Sequence, residues 1–133
     1  MRTLITNTFM KTLLIIGLGG VFGSISRYLT TLFFNKYFIS HLFLGTFTVN
    51  IIGCFFLGIL YGTAQHSLPV SDEWRKFIGI GFCGSFTTFS SFSFENAVLI
   101  QQGQMWQMFL YLSGSILIGL ASTFTGIYFV KLF

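Results

Sequence analysis

The chain has 133 residues, of which 53% are hydrophobic, 20% aromatic and only 8% charged. Soluble domains carry about 25% charged residues, so this composition excludes one, and a mean hydropathy of +0.81 points to a membrane protein. The net charge of +4 is spread over seven scattered Lys and Arg; it reads as membrane-flank charge and not as a nucleic-acid footprint.

Four apolar stretches are visible, at residues 12–34, 43–64, 77–100 and 106–131. Each approaches or exceeds the roughly 20 residues a helix needs to cross a bilayer core, and the connections are short. The expectation is an all-α membrane protein, residues 1–133 forming a single four-helix transmembrane domain. The opening MRTLITNTFMKTLLIIG carries two basic residues ahead of an apolar run, as a signal peptide does. The run continues to Phe34 without a small-residue cleavage site, so it is read as the first membrane helix. Within it Gly19 and Gly23 stand four apart, and so do Gly20 and Ser24. That spacing lets helices approach closely in lipid. It is not a dinucleotide fingerprint, because Phe22 takes the place of the last glycine and no strand precedes it. Arg27 lies inside this span, either as a snorkelling interfacial arginine or as a cation that draws anions into a vestibule.

The second stretch, LFLGTFTVNIIGCFFLGILYG, puts Thr46 and Asn50 one turn apart and repeats the small-residue spacing at Gly58 and Gly62. Asn50 is the one amide well inside a span. It serves either as an interhelical hydrogen bond or as a donor to a passing anion. Cys54 and Cys83 fall within spans and read as small packing residues; with no CxxC spacing, neither redox nor zinc chemistry is indicated. In the second loop Ser71, followed by Asp72 and Glu73, reads as an N-cap with acids at the positive end of helix 3. His41 and His66 lie in loops without partner ligands, and no metal is assigned to either.

Residues 81–95, GFCGSFTTFSSFSFE, are the most informative segment. They interleave six hydroxyls (Ser85, Thr87, Thr88, Ser90, Ser91, Ser93) with five phenylalanines, behind Gly81 and Gly84. Hydroxyls at membrane depth need partners, and broken helices in a bilayer are tolerated where they line a cavity or bind an ion. In a continuous helix Phe82, Phe86, Phe89 and Ser93 would share one face. Phenyl edges are weakly positive, so rings and hydroxyls together offer donors to a small, strongly hydrated anion. Glu95 is the sole acid in or near a span and a functional candidate by default, although an interfacial position fits it equally. On the fourth stretch Tyr111, Ser115 and Gly119 form a stripe at four-residue spacing. Sorted by side, Arg2, Lys11, Arg75, Lys76 and Lys131 lie with the termini and second loop, and Arg27 and Lys36 opposite, a mild preference for termini inside. Three carboxylates, two of them adjacent, leave no pair for acid–base work, so no enzyme is expected.

Taken together, GGVFGSISRY, GTFTVNIIGC and GFCGSFTTFSSFSFE resemble, in order and spacing, the signatures of the Fluc (CrcB) family of bacterial fluoride channels. The likeness covers essentially the whole chain. It implies passive efflux of F⁻ through two pores at the interface of an antiparallel, dual-topology homodimer in the bacterial inner membrane, surrounded by lipid. It implies a helix 3 broken near Gly84 and Thr87, whose backbone carbonyls hold a structural Na⁺ that is not itself transported. It places Arg27, Thr46, Asn50, Phe89, Ser90, Ser91, Phe92, Glu95, Tyr111 and Ser115 on the ion pathway. Gly119 stands where some relatives have a further serine, and Ser85 where many have glycine. The five-to-two charge count fits dual topology poorly. A small proton-coupled multidrug-type exporter is also a four-helix dimer of this size, but it needs a carboxylate near the middle of helix 1, and none is present.

Overall fold

The computed structural model describes residues 2–37, 43–66 and 68–132, with side chains from residue 8 onward. His41 lies outside the described residues. Helix α1 runs Arg2–Tyr37, α2 Leu44–Gln65, α3 Asp72–Arg75, α4 Gly84–Phe86, α5 Phe89–Gln101 and α6 Met105–Phe129, and a π-helix Lys76–Cys83 joins α3 to α4. Among the described residues four segments are long and apolar enough to cross a membrane, Thr8–Tyr37, Leu44–Gln65, Asp72–Gln101 and Met105–Leu132. They match the four expected stretches, with the first and third starting a turn earlier. The chain is a multi-pass helical membrane protein.

Glycine explains how the spans meet. α1 packs chiefly on the π-helix and α4, and α2 chiefly on α6. A Cβ on Gly19 would stand 2.4 Å from the Phe77 carbonyl, and one on Gly23 2.3 Å from that of Phe82. On the other pair, a Cβ on Gly58 would stand 2.2 Å from the Thr123 carbonyl. Backbones therefore touch backbones at these positions, and dispersion between closely approaching helices supplies the association that a hydrophobic driving force cannot supply in lipid. The small-residue spacings at 19/23 and 58/62 are packing faces, as their sequence suggests.

The third span begins at Ser71, whose side chain accepts from the Trp74 N–H at 3.4 Å. Lys76 pairs with Asp72 at 2.5 Å, and Lys11 of α1 with Glu73 at 3.2 Å. The second pair sets the start of the third span beside the N-terminal end of α1, the side to which the charge pattern assigned both. Cys54 and Cys83 are free thiols, Cys83 fully buried.

The break in the third span is present, but glycine geometry does not cause it. Gly84 is α-helical at φ −62° and ψ −28°, and among the described residues the only glycine with positive φ is Gly103. The chain leaves the helix at Thr87 (φ −81°, ψ 157°) and Thr88 (φ −151°, ψ 120°), both extended, and resumes at Phe89. The continuous face expected for Phe82, Phe86, Phe89 and Ser93 is interrupted there. Phe82 and Phe86 stack at 5.4 Å before the break, while Phe89 lies beyond it and is 79% exposed.

Candidate functional site

Two polar clusters sit on either side of this break. The first is built by α2 against the extended residues. Asn50 Nδ2 donates to the Thr88 carbonyl at 3.1 Å, and the Thr88 N–H donates to Asn50 Oδ1 at 2.8 Å. A carboxamide thus pairs with one peptide group through both its donor and its acceptor, as a neighbouring strand would. One Nδ2 hydrogen remains after this pairing. Gly53, three residues on, leaves room for Thr87: a Cβ there would stand 2.1 Å from Thr87 Cγ2. Thr87 in turn donates both its N–H, at 3.0 Å, and its hydroxyl, at 2.9 Å, to the Cys83 carbonyl, ending the helix. Thr88 starts the next one as an N-cap, its hydroxyl accepting from the Ser91 N–H at 3.2 Å.

The second cluster centres on Glu95. Thr46 of α2 donates its hydroxyl to Glu95 Oε1 at 2.6 Å, and Tyr111 of α6 donates to Oε2 at 2.7 Å. Thr46 is 3% and Tyr111 4% exposed, and through their hydroxyls the half-buried Glu95 carboxyl group joins three spans. An interhelical hydrogen bond in lipid is worth about 1 kcal/mol, and this residue makes two. Aromatic rings continue the line: Phe92 meets Tyr111 edge-on at 5.0 Å, and Phe89 lies 6.0 Å from Phe92. On the open side, Ser90, Ser91 and Glu95 share a groove of about 620 Å³ with Thr31, Asn35, Phe94, Gln102, Gln104 and Gln107.

The structure therefore brings together Thr46, Asn50, Phe89, Ser90, Ser91, Phe92, Glu95 and Tyr111, with Thr87 in the break and Gly84 in the short helix before it. Tyr111 and Gly119 of the α6 stripe are buried, and the Ser115 hydroxyl between them is buried with no hydrogen-bond partner among the described residues. Arg27 is half-buried on α1 and, among the described residues, makes no hydrogen bond or ion pair with the rest. Thr88 was passed over as a site residue. Its signal is a hydroxyl three residues ahead of Ser91 at the start of a helix, the N-cap spacing, immediately after the Gly84–Thr87 region where the break is expected. The groove amides Asn35 and Gln102 carried no motif.

Residues 14–127 match the family model described as CrcB-like protein, Camphor Resistance (CrcB). A relative from Flavobacterium psychrophilum named fluoride-specific ion channel FluC is 44% identical over 122 residues, 92% of this chain and 98% of that one. One of the same name from Chlorobium phaeobacteroides is 45% identical over 119 residues, covering 90% and 92%. Another from Gloeothece citriformis is 44% identical over 126 residues, covering 92% and 98%. The resemblance seen in three motifs thus extends along nearly the whole length, and the chain belongs to the CrcB-like protein family.

Proposed function

We propose that this protein is a fluoride-selective channel that lets F⁻ leave the bacterial cytoplasm passively. The observation that carries this reading is the line of donors and ring edges from Asn50 past Phe89 and Phe92 to the Tyr111–Glu95–Thr46 cluster, where Glu95 is the one carboxylate of residues 77–100. The names of the relatives agree with it. Fluoride crosses membranes as neutral HF from acidic surroundings, ionises inside and is trapped, so a passive anion pathway is enough to relieve it. The ion is small and strongly hydrated. It enters only where hydroxyl and amide hydrogens and positive phenyl edges replace its water. Arg27, carrying no ion pair, attracts the anion toward this line.

The pathway is completed by a second, antiparallel copy. Phe89 is 79% exposed in one subunit, and the groove beside Glu95 is open; neither encloses an ion alone. The same two-fold arrangement suits a structural sodium ion. Among the described residues no turn, loop or cap hydrogen bond ends on the Gly84 or Thr87 carbonyl. Unpaired carbonyls at membrane depth are costly, and backbone oxygens are the hard donors an alkali cation takes. With the Gly84 and Thr87 oxygens contributed by each chain, two copies offer four. When bound, the cation supplies the positive charge that these carbonyls lack.

Proteoliposomes loaded with potassium fluoride test the function. Valinomycin should trigger electrical F⁻ efflux that is unaffected by a pH gradient and absent for chloride. Flux that requires a proton gradient would instead favour a coupled exporter and overturn the channel.

A further inference from the structure

Gly84 keeps α-helical angles, so the break does not follow from glycine's conformational freedom. The hydrogen bonds show where the backbone donors go. In a continuous α-helix the Thr88 N–H would pair with the Gly84 carbonyl, and the Ser91 N–H with the Thr87 carbonyl. Both donors are taken by side chains instead: the Thr88 N–H by Asn50 Oδ1 at 2.8 Å, and the Ser91 N–H by Thr88 Oγ1 at 3.2 Å. This leaves the Gly84 and Thr87 carbonyls without these intrahelical donors; among the described residues no turn, loop or cap hydrogen bond ends on the Ser85 or Phe86 carbonyl between them either. Asn50 Nδ2 also holds the Thr88 carbonyl at 3.1 Å, which fixes the peptide plane from both sides. Thr88 is 8% exposed, so water does not compete for these groups.

We infer that Asn50 and Thr88 are the positioning residues of the break: they capture the two backbone N–H groups that would otherwise close onto Gly84 and Thr87, and so present those carbonyls to a cation. Asn50 then does more than face an anion. It couples α2 to the backbone of the third span, with its remaining amide hydrogen oriented by that pairing. The cation is a consequence of this arrangement and not its cause. The inference rests on the cation site proposed above and is separable from fluoride conduction.

The test uses the full-length protein in detergent, with sodium ion alone as the probe. A ligand bound only by the folded state raises the melting temperature with its concentration. In the parent, Na⁺ should raise the melting temperature relative to N-methylglucamine at equal ionic strength. Thr88→Val, which keeps the shape and loses the acceptor, should require at least tenfold more Na⁺ for the same shift, as should Asn50→Leu. Thr88→Ser keeps the hydroxyl and should stay within twofold of the parent. Parent-like sodium response in Thr88→Val and Asn50→Leu overturns the inference. Should neither variant assemble, amide hydrogen exchange on the parent decides. Protection of the Thr88 and Ser91 amides that is equal with and without Na⁺ supports side-chain capture, whereas protection only in Na⁺ makes the cation the cause and overturns it. Fluoride efflux is read on the same preparations. A parent that conducts but shows no sodium response removes the inference and leaves the channel. One with the sodium response and no flux sustains the inference and removes the channel.

Discussion

Gly53 sits opposite the break, and replacing it by alanine tests the packing that seats Thr87. The new Cβ would stand 2.1 Å from Thr87 Cγ2, well inside the 3.4 Å at which ordinary contact begins. Two movements relieve the clash. Thr87 can turn about χ1, which breaks its hydroxyl bond to the Cys83 carbonyl, or α2 can withdraw, which breaks the paired bonds between Asn50 and Thr88. Overpacking costs about 1–3 kcal/mol and a lost hydrogen bond about 1 kcal/mol. The expected loss is therefore about 2–4 kcal/mol in the free energy that holds the break, a factor of roughly 30 to 1,000 in its population. Fluoride efflux from proteoliposomes should fall accordingly. Thr87→Ser deletes the methyl that clashes and keeps the hydroxyl, so Gly53→Ala/Thr87→Ser should recover most of the flux of Thr87→Ser alone. Gly53→Ala that conducts like the parent, or a double variant as impaired as Gly53→Ala, refutes the reasoning.

Asn50→Asp replaces a donor by a negative charge; at about 4 Å and an effective dielectric near 20 the repulsion of an anion is about 4 kcal/mol, so flux should fall at least a hundredfold while size-exclusion chromatography shows an unchanged assembly. Phe89→Ile and Phe92→Ile keep apolar bulk but have no positive ring edge, and each should abolish fluoride current without dissociating the protein; parent-like current in either removes the ring edge at that position. Tyr111→Phe removes one of the two donors on Glu95 and should cost about 1 kcal/mol in a detergent unfolding assay. If the proposed second copy packs at the break, Gly84→Val should weaken its association, because among the described residues a Cβ at Gly84 meets nothing closer than 3.8 Å within the subunit; a dimer fraction equal to the parent's moves the break away from the proposed two-fold axis.

The membrane class, the four spans and the packing glycines were legible because each is a local property. Apolar length shows directly in sequence, and so does a small residue every fourth position. The break was legible only as a region. Hydroxyls and glycines crowd residues 81–95, but which bond fails there depends on what α2 presents from 38 residues earlier in the chain. Glycine was the obvious suspect because it alone adopts unusual angles freely, yet Thr87 and Thr88 use ordinary extended ones. An extended pair inside a span needs no special residue in its own backbone; it needs partners for its exposed peptide groups, since lipid offers none. Those partners are a carboxamide on α2 and a hydroxyl on the broken segment itself. The same reasoning explains Glu95. Its place in sequence, near the end of the third span, gives no partner for it, and the Thr46 and Tyr111 hydroxyls that hold it arrive from two other helices. In this fold the residues that carry chemistry are recognisable by type. Their work is fixed by pairing across helices, so Asn50, read alone as either packing amide or anion donor, pairs with the backbone through one N–H and its carbonyl oxygen and still has one N–H to offer.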